Sequence, residues 1–254
     1  MTTLSFTLAQ YAPTYGTGIG VYDGLTLIGL VILIISGIIG SIVQARMQAH
    51  MRTFSSVPAG ITGAQAARMM LDSYGLTDVR ITHVHGQLTD HYNPADRTVN
   101  LSDIVYREAT VAAIAVAAHE CGHAVQHARG YPWLGLRSQL VPLVNIGSRL
   151  GQLLLMGGLI LLAMGSGATV AWIGLAFYAS TTLFALVTLP VEFDASRRAL
   201  AWLSESRVAD RAMHGQATTA LRWAAMTYVA AALSSIAMLL YYALILLSRS
   251  RRSN

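Results

Sequence analysis

The sequence predicts a mainly α membrane protein in which about four transmembrane helices carry a smaller α+β region. Three observations support that expectation. The 254 residues are 54% hydrophobic and only 11% charged, with a mean hydropathy of +0.51, above that of an ordinary soluble domain. Four apolar segments are long enough to cross a hydrocarbon core of about 30 Å, which takes roughly 20 helical residues. Between the first and second lies a polar stretch, residues 44–137, whose hydrophobic period changes from helical to alternating and back.

In chain order, residues 1–23 form an N-terminal extension to which no role is assigned. The N-terminus MTTLSFTLAQYAPTYGTGIGVYDG has no basic residue and no cleavage site follows, so the apolar run at 24–43 (GLTLIGLVILIISGIIGSIV) reads as a retained first span rather than a removable signal. In the region 44–137, Thr62 is placed to cap the helix AQAARMMLDSYG, which Gly75 terminates. VRITHV (79–84) alternates, and QLTDHY (87–92) and RTVNLS (97–102) flank the turn-forming NPAD, so a small antiparallel hairpin or three-stranded sheet is expected. From about Glu108, EATVAAIAVAAHECGHAVQHA is apolar on nearly every face and predicts a buried helix closed near Gly130 and Pro132. A membrane hairpin occupies 138–190, with the second span at 141–164, interrupted by Asn145 and Arg149, and the third at 168–189. Residues 191–222 open with a helix, VEFDASRRALAWLSES; the fourth span falls in 223–247, and 248–254 is a basic tail.

Composition also excludes some functions. The formal net charge is +5, but the basic residues are dispersed and flank the spans, so no nucleic-acid partner is expected. Cys121, the single cysteine, has no partner for an intramolecular disulfide and reads as a small packing residue.

The chemistry sits in AAHECGHAVQH (117–127), where three histidines stand four residues apart. On a helix, positions i and i+4 differ by about 40° in azimuth, so His119 with His123, or His123 with His127, can present two imidazoles to one ion. Glu120 separates the pairs. In H-E-x-x-H the carboxylate behind the first ligand can reach a metal-bound water, whereas Ala124 behind His123 can do no acid–base work. His119 and His123 are therefore the expected ligands of one zinc ion per chain, with Glu120 as general base. Ionisable groups in an Ala/Val/Ile helix are costly to bury unless an ion compensates them; the competing reading is a set of satisfied packing histidines.

A catalytic zinc takes three protein ligands and leaves a fourth position for water. Candidates for the third are Glu192, Asp194, Glu205, Asp210 and His214. Two membrane crossings separate His123 from Glu192, which returns that glutamate to the same side. Asp194 points about 200° away from it on one helix and cannot share its role.

LTDHYNPADRTVNLSD (88–103), AVAAHECGHAVQHARGYP (115–132) and LPVEFDASRRAL (189–200) resemble the YugP-type membrane-embedded neutral zinc metallopeptidases, a likeness running from about residue 44 to 247. HExxH followed, after a membrane hairpin, by Glu-aromatic-x-Ala is also similar to the HtpX-like and CAAX-processing membrane peptidases, which use the later glutamate as third zinc ligand. The resemblance implies a zincin-like catalytic region, hydrolysis of peptide bonds by a zinc-activated water, and Glu192 as ligand. Ser196 departs from those relatives, which carry an aspartate there, so no acid is available at that position.

A peptide or protein substrate is expected to add as a strand beside the motif helix, on QLTDHY or RTVNLS, with Asp90, His91 and His127 as candidate contacts. His83 and His85 read as ordinary strand histidines. Arg197 and Arg198 either pair with Asp194 or Glu205 or reach lipid phosphates. Arg46, Arg52, Arg129, Arg137, Arg207 and Arg211 lie on the motif's side of the spans and face the uncharged loop MGSGAT across them. The positive-inside rule then puts the catalytic region in the cytoplasm of a multi-pass protein of the cell (inner) membrane. The tail SRSRRSN falls on the other side after four crossings and counts against it. Two alternatives compete with a zinc endopeptidase. One is a non-catalytic zinc-stabilised membrane adaptor or chaperone, which would not need Glu120. The other is an intramembrane-cleaving protease of the site-2 class, against which stand Arg107 and Glu108 before the motif helix and the lack of an aspartate in the later spans.

Overall fold

The computed structural model describes residues 24–250; the N-terminal extension and the last residues of the basic tail lie outside the described residues. Among the described residues, four helices are long and apolar enough to cross a membrane: α1 (Gly24–Phe54), α5 (Pro132–Ala163), α6 (Ala168–Glu205) and α7 (Arg211–Ser250). With 31, 32, 38 and 40 residues, they run about 46 to 60 Å at 1.5 Å per residue, well beyond a hydrocarbon core of about 30 Å. Their ends must overhang it. The outward stripe of α1, including Ile28, Val31, Ile35 and Ile42, is exposed, as a lipid-facing surface should be. The small or polar Thr26, Gly29 and Ser36 turn inward, and Thr26 and Ser248 join α1 to α7. Thr182 on α6 and Ser235 on α7 meet hydroxyl to hydroxyl at 2.7 Å. On α5, Asn145 and Arg149 are exposed rather than tucked into the protein.

The region between α1 and α5 is compact. Helix α2 (Gly63–Ser73) opens on a capping box in which the Thr62 hydroxyl accepts from the Gln65 N–H and the Gln65 side chain accepts from the Thr62 N–H. Gly75 follows it with φ +72°, the left-handed conformation that ends helices. The strands are β1 (Arg80–Val84), β2 (His91–Asn93) and β3 (Thr98–Ser102), in the order β1-β3-β2. The β2–β3 hairpin is antiparallel as expected, but β1 pairs parallel with β3, so the sheet is mixed. RTVNLS therefore supplies the central strand and cannot be an open edge. QLTDHY shortens to its last two residues plus Asn93. The reason is local: Gly86 and Leu88 adopt positive φ, and Asp90 spends its carboxylate on the Ser102 N–H (2.7 Å) and hydroxyl (2.9 Å).

A short helix α3 (Asp103–Arg107) ends on Glu108, so the motif helix α4 (Val111–Ala128) starts later than its composition suggested, capped by Thr110. It is enclosed by protein on nearly every side, which explains its uniform apolarity. The core that encloses it includes Met70, Leu71, Val79, Val99, Leu101 and Leu203. The last surprise is continuity: α6 passes through Pro190 without a break, so the carboxylates of 191–206 ride on an extension of the third membrane helix, not on a helix of their own.

A candidate metal centre between α4 and α6

His119 and His123 stand one turn apart on α4 with their rings edge to face, centroids 4.8 Å apart. Glu192, 2% exposed, reaches them from α6. Its Oε2 lies 3.2 Å from His119 Nε2 and 3.7 Å from His123 Nε2. One donor atom from each of the three residues falls within 4.8 Å of the others.

The remaining polar atom of each residue is also occupied. His119 Nδ1 meets the Ser196 hydroxyl at 3.1 Å, His123 Nδ1 meets Gln126 Oε1 at 3.0 Å, and Glu192 Oε1 accepts from Arg137 Nη1 at 3.2 Å. An acceptor on Nδ1 holds the proton there and leaves the Nε2 lone pair free, the arrangement found behind metal-bound imidazoles. Two imidazole nitrogens and one carboxylate oxygen facing a common point fit zinc. Burial alone would depress the His123 imidazole, but the neighbouring Glu192 and Glu120 carboxylates raise it above the ordinary histidine value. Two carboxylates beside the imidazoles are charges that a cation would relieve.

The α4–α6 spacing rests on Gly122. A Cβ there would sit 2.6 Å from the Ala195 carbonyl oxygen, a backbone atom that cannot swing aside. Gly122→Ala is expected to push the helices apart, cost about 1–3 kcal/mol of stability and weaken zinc binding together with it; an unchanged thermal midpoint and zinc affinity would refute this account of the spacing.

Glu120 is 8% exposed, and its Oε2 accepts the Tyr92 N–H from β2 at 3.0 Å. The edge strand is thereby tied directly to the motif helix. A cavity of about 300 Å³ opens there, lined by His91, Tyr92, Arg137, Val141 and Tyr228 beside Glu120 and the three clustered residues. Asp90 also lines it, although both its oxygens are engaged by Ser102. His91 is exposed, with Nδ1 against the Thr89 carbonyl at 2.8 Å. His127 is not in the cluster: its Nδ1 meets the Tyr92 hydroxyl at 2.8 Å. Asp194 is buried but outside the cluster, held by Gln126 Nε2 at 2.9 Å, by Arg198 Nε at 2.6 Å and by Arg197. Glu205, Asp210 and His214 lie outside the cluster. Burial pushes the Cys121 thiol up, consistent with packing.

Sequence reasoning did not find Gln126, Tyr228 or the role of Arg137, and it undervalued Ser196. Gln126 was accessible, since it lies three residues after His123 and so shares its face; its amide also donates to the Val191 carbonyl at 2.8 Å, bridging α4 and α6. Ser196 supplies with a hydroxyl the contact for which an acid was sought. Arg137 and Tyr228 carry no local signal, because at the ends of apolar runs they read as membrane-interface residues.

A family model described as "Putative neutral zinc metallopeptidase" matches residues 28–247. The chain is 41% identical over 208 residues, 81% of its length and 90% of the relative's, to the "Putative membrane protease YugP" of Bacillus subtilis (strain 168). No solved structure matches it.

Proposed function

The chain belongs to the neutral zinc metallopeptidase family, and from that premise we propose that it is an integral-membrane endopeptidase. In this reading His119, His123 and Glu192 hold one zinc ion and Glu120 is the general base. The observation that supports it most is the convergence of two imidazoles and a buried carboxylate from α4 and α6, each backed by a hydrogen bond on its far side. Bound there, zinc would polarise the scissile carbonyl and bring the pKa of water to about 7. Glu120, oriented by the Tyr92 N–H, takes the water's proton and delivers it to the leaving amine. An extended peptide would lie along β2, the edge strand of the sheet beside the cavity, with His91 and His127 near its path. Arg137 and Ser196 act as positioning residues.

The site-2 alternative finds no support in α4, which is an 18-residue helix and is not among the four long apolar ones. The basic residues that border the site favour a cytoplasmic catalytic face of the cell membrane. Removing zinc from the detergent-solubilised protein with a chelator is expected to abolish cleavage of a casein-like substrate, and added zinc to restore it. Undiminished cleavage by protein verified as zinc-free would overturn the assignment.

A further inference from the structure

His83 lies near the end of β1 and His85 just beyond it, two residues on, and their rings meet on one side of the chain. The parallel pairing sets His83 opposite Leu101 and Val84 opposite Ser102, which brings the next residue, Asp103, alongside them. His83 Nε2 lies 2.5 Å from Asp103 Oδ1, and His85 Nδ1 lies 3.6 Å from Asp103 Oδ2. The two rings meet edge to face at 5.1 Å. One donor atom from each of the three side chains falls within 4.8 Å of the others. None of these residues belongs to the α4–α6 cluster.

We propose that His83, His85 and Asp103 form a second divalent-cation site, of zinc-like preference, that clamps the loop 85–90. Two imidazoles and one carboxylate suit zinc better than calcium or magnesium, which take oxygen ligands. The His85 side chain is 92% exposed, so the ion would enter from water and exchange with it, and binding is expected in the micromolar range, weaker than at the buried centre. The loop already carries its own restraints: the Thr89 hydroxyl donates to the His85 carbonyl at 3.4 Å, and Asp90 holds Ser102. Asp90 leads into β2 and lines the cavity beside Glu120. A cation on the cluster would therefore stiffen the approach to the edge strand.

The test is equilibrium dialysis of the purified full chain in detergent micelles, with zinc buffered at nanomolar and then at high-micromolar free concentration and bound metal measured by mass spectrometry. The wild-type protein is expected to take up one further equivalent at the higher concentration. His85→Ala and His83→Ala should each weaken that uptake by at least about tenfold while leaving the nanomolar equivalent intact. Glu192→Ala should show the opposite pattern, keeping the weak equivalent, so the second site stands or falls apart from the peptidase reading. Hydrogen exchange in the loop 85–90 should slow on zinc addition in wild type and not in His85→Ala. Absence of a further equivalent, or its undiminished uptake by both histidine variants, would overturn the proposal.

Discussion

Glu120→Gln is expected to bind zinc as the parent does and to cleave a casein-like substrate about 10²- to 10⁴-fold more slowly, the range that a positioned general base contributes. The substitution isolates one function. Glutamine keeps the size of the side chain and an oxygen that can still accept the Tyr92 N–H, so the contact between β2 and α4 survives. What disappears is the capacity to take a proton from water and return it to the leaving amine. Zinc content by mass spectrometry and proteolysis on the same preparation separate the two properties. Full cleavage by the purified variant would sink the mechanism. Retained zinc with lost cleavage would also exclude the adaptor alternative, in which Glu120 has no work to do.

The second large effect is on the metal itself. Glu192→Ala should abolish zinc binding at nanomolar free zinc, a loss of more than about a hundredfold in affinity, since even partners of the ligands are worth 10- to 100-fold. It should lower thermal stability as well. Glu192 is among the largest fully buried side chains, and its removal leaves a cavity, an unpaired Arg137 guanidinium and two imidazoles without their carboxylate neighbour. Stoichiometric zinc in the variant under those conditions would remove Glu192 from the ligand set. Asp194, two residues on, offers no substitute, because Gln126, Arg197 and Arg198 already hold its carboxylate.

The parts that were legible in the sequence share one property, a local period. The four long helices follow from apolar length, the cap at Thr62 and the stop at Gly75 from residue type, and the hairpin at NPAD from turn chemistry. The misreadings have local causes of a subtler kind. Alternation in QLTDHY suggested strand, but the positive φ of Gly86 and Leu88 and the pairing of Asp90 with Ser102 make its first half a loop. Alternation likewise says nothing about direction, so the parallel β1 could not be distinguished from an antiparallel one.

The amino-acid order by itself determined that this is a mainly α membrane protein and that His119 and His123 share one face of a helix with Glu120 behind the first, because a 3.6-residue period fixes what neighbours along one element can do. The membrane hairpin and the resemblance pointed to Glu192, but only the tertiary structure brought its carboxylate against the two imidazoles and showed that Ser196, Gln126 and Arg137 back the cluster while the Tyr92 N–H holds Glu120. His119 and Glu192 are 73 residues apart, joined across a membrane hairpin. No periodicity extends over that distance. It is the close approach of α4 and α6 at Gly122, and the overhang of α5 and α6 beyond the length of a span, that bring those groups to one point.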